Sequence, residues 1–136
     1  MIIYTDSLNN LSSDQLKGFF VGWAAPPSPE IHLAILSKSS HRLLAIDDAS
    51  GDVIGFITAI SDGILSAYIP LFEVLRGYQG QGIGRELFSR LLSSMSNLYM
   101  IDLVCDSDLQ PFYKKMGMNP TTGMSIRNFA CQSGNK

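Results

Sequence analysis

The feature that most limits what this chain can fold into is a glycine-rich turn, Tyr78-Gln79-Gly80-Gln81-Gly82-Ile83-Gly84, past the middle of the sequence. An apolar, strand-like run precedes it, Ala67-Tyr68-Ile69-Pro70-Leu71-Phe72-Glu73-Val74-Leu75. After it, Leu87, Phe88, Leu91, Leu92 and Met95 recur at helical spacing. The glycines therefore join a strand to the first turn of a helix. There, unpaired backbone N–H groups and the positive end of the helix dipole converge, which suits a phosphate. Glycine also lets the chain approach an anion closely and take positive φ. The turn reads as a pyrophosphate cradle.

Two nucleotide motifs are excluded. A P-loop needs Lys and then Ser or Thr at the helix start, whereas Gly84 is followed by Arg85-Glu86. The dinucleotide fingerprint needs G-x-G-x-x-G early in a βαβ unit, and the spacing here is G-x-G-x-G. Gln79-Gly80-Gln81-Gly82-Ile83-Gly84 instead fits Q/R-x-x-G-x-G/A, the acyl-CoA pyrophosphate loop of the GNAT N-acetyltransferases. Downstream, Pro111-Phe112-Tyr113-Lys114-Lys115-Met116-Gly117-Met118 is similar to that family's F-Y-x-x-x-G-F/M segment. With both motifs about thirty residues apart and flanked by suitable elements, the chain resembles the GNAT family over almost its whole length.

Composition narrows the class further. The 136 residues, 46% apolar and 16% charged, predict one globular domain over 1–136, with 132–136 a flexible tail. A net charge of −2 argues against nucleic acid as the main partner. No apolar run approaches a membrane span, and Met1-Ile2-Ile3-Tyr4-Thr5-Asp6 lacks the basic start of a signal peptide. Cys105 and Cys131 form no disulfide framework, so a reduced, cytoplasmic protein is expected.

In chain order, Ile2-Ile3-Tyr4 reads as a strand. Ser12 and Gln15 form a capping box before a helix with Leu16, Phe19, Phe20 and Trp23 on one face. Ala25-Pro26-Pro27 breaks it, and Ser28-Pro29-Glu30 starts a second helix to about Ser37. Strands follow at 42–46 and 53–60, and Asp62-Gly63 turns the chain into the strand that ends at the glycines. After the central helix, 98–105 reads as a strand covered on both faces. A helix follows, capped at Asp106-Ser107-Asp108 and ended by Gly117; the last strand is 123–130. The order β-α-α-β-β-β-α-β-α-β is that of a mixed α/β GNAT fold. The resemblance implies a mostly antiparallel sheet, splayed at its centre, with at most a short final strand missing.

The resemblance also assigns roles. The acetyl-CoA arm would lie along the backbone of Phe72, Glu73, Val74 and Leu75. Its pyrophosphate would sit on Gln79, Gly80, Gln81, Gly82, Ile83, Gly84 and Arg85, with Arg76 near enough to add charge. Asp106 falls where relatives place an asparagine that contacts the coenzyme, or it only caps a helix. Tyr113 matches the tyrosine that donates to the coenzyme sulfur; packing is the other reading. Glu73, the only carboxylate in the apolar strand 64–75, is the candidate base, directly or through water, or else a structural residue. Tyr68 stands about where some relatives carry a catalytic glutamate. Asp102 reads as a structural group or a partner for Arg127. Phe20 and Trp23, with Tyr68, are the candidate acceptor contacts. His32 and His41 have no metal-ligand spacing and read as exposed; no metal is expected.

The expected function is an acetyl-CoA-dependent N-acetyltransferase acting on a primary amine, a small molecule, by direct attack in a ternary complex. The alternative is a non-catalytic acyl-CoA-binding sensor or interaction module on the same fold. A homodimer, paired through the last strand, stays open.

Overall fold

The structure is a computed structural model and describes residues 1–135; Lys136, the end of the expected tail, lies outside them. Six strands and three helices follow in the order β1 (Ile2–Thr5), α1 (Pro29–Lys38), β2 (His41–Asp47), β3 (Val53–Ser61), β4 (Ser66–Tyr68), β5 (Phe72–Val74), α2 (Ile83–Ser94), β6 (Met100–Asp102) and α3 (Gln110–Lys115). The strands form one mixed sheet in the spatial order β1-β2-β3-β4-β6, with β5 also on β3. All pairings are antiparallel except β4 with β6.

The nine-residue β3 is the template of the sheet. Its first half pairs with β5 and its end with β4. The single strand expected over 64–75 is therefore two, parted at Ile69-Pro70-Leu71. Pro70 has no N–H to give a ladder and favours such a break. Beyond Asp102, whose carbonyl accepts the Ile69 N–H at 2.9 Å, β6 has ended and the sheet opens between it and β5.

One face of the sheet is covered by α2 and α3. Ile83, Leu87, Phe88, Leu91 and Met95 are buried there with Ile54, Ile57 and Ala59, as the helical spacing predicts. The other face carries α1 and the N-terminal loop, through Leu16, Phe19, Phe20 and Leu36 on Phe56 and Leu44. Ser28 caps α1 by accepting the Ile31 N–H at 3.2 Å, with Pro29 in its first turn.

Three expected elements differ. The first helix is only a 3₁₀ turn, Ser13–Gln15, on the Ser12–Gln15 capping box. Beyond it Gly18 (φ 92°), Phe20 (φ 62°) and Gly22 (φ 85°) take left-handed backbone, so no helix continues. The apolar stripe is core all the same, delivered from a folded loop. The covered strand over 98–105 is shortened to Met100–Asp102, an edge strand with an exposed face. The last strand, 123–130, does not form, because nothing among the described residues pairs with it; a 3₁₀ turn closes it at Phe129–Cys131. Nor is the start of the tail free: the Gln132 side-chain carbonyl accepts the Ala25 N–H at 2.8 Å.

His32 is not exposed. It is 1% accessible, with its ring edge-on to Phe19, Phe20 and Phe56 at 5.3, 4.9 and 4.3 Å between centroids. Neither ring nitrogen has a hydrogen-bond partner, and burial lowers its pKa to about 4. A proton is thus held more weakly in the fold than in the unfolded chain, whose imidazole titrates near 6.5. Stability is complete above that value and falls as the pH drops toward 4, by about 3 kcal/mol at roughly 1.4 kcal/mol per unit. The depressed carboxylates of Asp47 and Asp62 act at lower pH, below 3.8. Urea unfolding between pH 7 and 4 is expected to show this decline, and His32→Phe to flatten it. An unchanged midpoint across that window would show the imidazole to be solvated.

Candidate active site

Strand register decides which backbone groups face the opening. Thr58 N–H donates to Leu71 C=O and Leu75 N–H to Ile54 C=O, so Leu71, Glu73 and Leu75 turn toward β3. Phe72 and Val74 therefore direct their N–H and C=O to the opposite edge, where no strand of the described chain pairs with them. Of the four backbone positions predicted to hold a pantetheine arm, Phe72 and Val74 offer outward groups, and Leu75 N–H is committed to the sheet. The Val74 carbonyl accepts from the Gln79 side-chain amide at 2.9 Å. Gln79 thus ties the glycine turn to β5 through its side chain.

The turn is also fastened to β2, since the Tyr78 hydroxyl donates to Asp47 at 2.6 Å. That contact carries no signal in the sequence. Gly82 caps α2 in left-handed conformation (φ 83°, ψ 5°). The first internal bond of α2 runs from Glu86 N–H to Gly82 C=O at 3.1 Å, so the N–H groups of Ile83, Gly84 and Arg85 lie ahead of it. Gly84 sits close against the Phe72 ring, where a Cβ would meet it at 3.4 Å. Among the described residues the one ion pair is Arg90–Glu86. Arg76 and Arg85 stand exposed at either end of the turn with no such partner. An anionic, extended ligand fits this edge and helix start.

The remaining predicted residues fall into two groups on opposite faces of β5. On one, the Glu73 carboxylate accepts the Phe20 N–H at 2.8 Å and the Val21 N–H at 3.4 Å. Phe20 in turn packs on Trp23 at 5.0 Å between ring centroids, and Trp23 is part-exposed. On the other, Tyr113 lies among Phe72, Phe88 and Phe112, at 6.5, 5.4 and 5.1 Å. Burial, and secondarily the nearby Cys105 thiol, push its phenol up to about 12, so the hydroxyl keeps its proton throughout the neutral range.

Tyr113 lines a groove of about 430 Å³ with Tyr68, Asp102, Cys105 and residues 118–125. Residues 119–125 carry no sequence motif for a site; Met118 ends the Phe112–Met118 segment. Asp102 has no ion-pair partner among the described residues; the Arg127 guanidinium reaches only its neighbour's carbonyl, at 3.3 Å. Asp106 is exposed, and its side chain makes no capping bond. Of the three acceptor candidates, then, Tyr68 joins Tyr113 while Phe20 and Trp23 join Glu73.

Known proteins resemble this chain in sequence and in fold. A provisionally assigned acetyltransferase of Deinococcus radiodurans is 42% identical and superposes with a TM-score of 0.96, over 99% of this chain and 94% of its own. A histone acetyltransferase of Glycine max, TAP1, is 30% identical over 107 residues, 71% of this chain and 46% of its own length. The uncharacterised N-acetyltransferase YitH of Bacillus subtilis is 28% identical over 94% of this chain and 45% of its own. The chain thus spans about half the length of the curated relatives it matches. No helix among the described residues is long and apolar enough to cross a membrane. Both sequence motifs fall within residues 8–118, the stretch that matches the acetyltransferase (GNAT) family profile, and on that match the chain belongs to the GNAT family.

Proposed function

We propose that the chain moves an acetyl group from acetyl-CoA to a primary amine, a small molecule, by direct attack in a ternary complex. The observation that carries this reading is the open edge of β5 followed, across the turn at 75–82, by the N-terminus of α2. Outward N–H groups of Phe72 and Val74 suit the amide-bearing arm of the donor, and the unpaired N–H groups at Ile83, Gly84 and Arg85 suit its pyrophosphate. Arg85 and Arg76 add charge-assisted bonds. The aromatic wall of Phe20 and Trp23, with Glu73 behind it, suits an amine cation.

The chemistry needs a C–N bond to form, a C–S bond to break and two proton movements. Glu73 accepts the amine proton, directly or through water, with its carboxylate oriented by the Phe20 and Val21 amides. Tyr113 supplies a proton to the departing thiolate. Two observations favour the sensor alternative: both Glu73 oxygens already accept backbone N–H groups, as a purely structural carboxylate would, and Glu73 lies on the opposite face of β5 from Tyr113. The deciding experiment is a thermal-shift titration with acetyl-CoA, followed by an amine panel monitored for free thiol. At a hundredfold excess over its Kd the donor should stabilise the fold by about 2.7 kcal/mol. An unmoved melting temperature would overturn the reading, and stabilisation without thiol release from any amine would favour the sensor.

Tyr113→Phe removes only the hydroxyl. It is expected to lower turnover about tenfold, the scale of one lost hydrogen bond of about 1.4 kcal/mol, with acetyl-CoA affinity unchanged. Equal changes in both quantities, or none, would reduce Tyr113 to a packing residue.

A further inference from the structure

The glycine turn has little stiffness of its own. Among the described residues, Gly80 and Gln81 make no hydrogen bond, and Gly80 and Gly82 take positive φ of 79° and 83°. Its shape is set by what fastens it on the way to α2. Gln79 holds the Val74 carbonyl, and the Tyr78 hydroxyl holds Asp47, 31 positions away.

The second fastening ends on a turn that is itself firmly knotted. Residues 47–52 join β2 to β3, and Asp47 uses each of its polar groups there. Its N–H donates to Asp52 C=O at 3.0 Å, and its C=O accepts the Ser50 and Gly51 N–H groups at 3.2 and 2.8 Å. One carboxylate oxygen accepts the Ala49 N–H at 3.0 Å, which leaves the other for Tyr78. Bonds from Tyr78, and then from Ala49, hold the Asp47 carboxyl below its ordinary range. The same contact raises the Tyr78 phenol, which keeps its proton to donate.

The far side of this turn reaches the loop that carries the acceptor wall. The Gln15 side-chain amide donates to Gly51 C=O at 2.6 Å, while its oxygen accepts the Ser12 N–H at 2.9 Å. Gln15 leads into Leu16, Phe19 and Phe20, and so to the ring pair of Phe20 and Trp23. The loop's other hold, the Glu73 carboxylate on the Phe20 N–H, runs through β5 and involves neither Gln15 nor Tyr78. We propose that the β2–β3 turn, residues 47–52, is a brace that positions the acetyl-CoA turn and the acceptor loop against each other. Tyr78, Asp47 and Gln15 are its positioning residues, and acetyl-CoA binding at one end is felt at the acceptor wall. This rests on assigning residues 79–85 to the pyrophosphate of acetyl-CoA. By linkage the effect is reciprocal, so an amine seated on the loop tightens acetyl-CoA in turn.

Trp23 is the one tryptophan of the chain and is 39% accessible, so its emission reports on the loop. Titrating the whole chain with acetyl-CoA is expected to shift that emission. Tyr78→Phe removes a single hydroxyl. It should weaken acetyl-CoA binding about tenfold, the scale of one hydrogen bond to a charged group, and lose the shift even at saturation. Gln15→Ala leaves the glycine turn intact, so it should lose the shift at an affinity closer to wild type. Asp47→Ala combined with Tyr78→Phe should bind no worse than Asp47→Ala alone, because both remove the same bond. Should Asp47→Ala not fold, the other two single variants carry the test, with folding checked by near-UV circular dichroism. A shift that survives saturation in either of those two would overturn the proposal, since the loop would then sense acetyl-CoA by contact or through Glu73. So would wild-type affinity in Tyr78→Phe, or a wild type that binds acetyl-CoA with no shift. A wild type that does not bind acetyl-CoA at all would remove the coenzyme site itself, and the brace with it.

Discussion

Gly82→Asp is expected to abolish the thermal stabilisation conferred by acetyl-CoA. Gly82 caps α2 in left-handed backbone, and a Cβ added there meets nothing within 4 Å. Space is therefore not the obstacle; conformation and charge are. The left-handed strain costs about 1–2 kcal/mol for any side chain, which Gly82→Ala shares. Aspartate adds a carboxylate that takes the same helix N–H groups as the pyrophosphate, as a capping side chain does. It also repels a bound phosphate, by about 4 kcal/mol between unit charges 4 Å apart near a protein surface, close to a thousandfold in affinity. Calorimetric titration of the two variants separates these effects. Gly82→Ala should melt earlier but still respond to acetyl-CoA, and Gly82→Asp should not respond. Wild-type affinity in a folded Gly82→Asp would move the phosphate site elsewhere.

Glu73→Gln is expected to lower turnover by about 10²–10⁴, the range for a positioned general base, with acetyl-CoA affinity near wild type. Glutamine keeps an oxygen to accept the Phe20 N–H but has no basicity. The deficit should shrink as pH rises, because more of the amine then arrives already neutral. A structural Glu73 gives the opposite pattern: the variant loses thermal stability as the Phe20–Trp23 loop loosens, and activity per folded molecule is kept. The measurement is a pH–rate profile of both proteins at saturating acetyl-CoA, with the folded fraction followed by near-UV circular dichroism. Superimposable profiles would remove Glu73 from the chemistry.

What could be read from the residues was whatever local signals decide. Glycines, a following 3.6-residue stripe and the capping chemistry of Ser28-Pro29 placed the turn, α2 and α1 within a residue or two. The failures share a cause in distant partners. The stripe of Leu16, Phe19, Phe20 and Trp23 has helical spacing, but the Phe20 amide is held by a carboxylate 53 positions away. His32 lies on a helix with no cue to its burial, because Phe19, Phe20 and Phe56 close over it from elsewhere in the chain. The strand expected over 123–130 finds no neighbour among the described residues. At the site, the glycine turn was legible because its requirement for positive φ at Gly80 and Gly82 is local. The Tyr78–Asp47 bond and the Gln79–Val74 tie depend on how strands meet, which no single stretch encodes.

The break at Ile69-Pro70-Leu71 also bears on which insertions and deletions this fold can tolerate. Those three residues join strands that both pair with β3, yet the two registers do not run on unbroken. Ile57 faces Phe72 and Ile60 faces Tyr68, so three steps along β3 are matched by four on the other side, and one extra residue is taken up at the break as a bulge. Beyond it the Phe72 ring meets α2 and the Glu73 carboxylate meets Phe20. Loss of one residue there would straighten the strand and leave both of those contacts in register with β3. Related chains should therefore vary at this spot by the single bulge residue before they vary anywhere in β3 or β5.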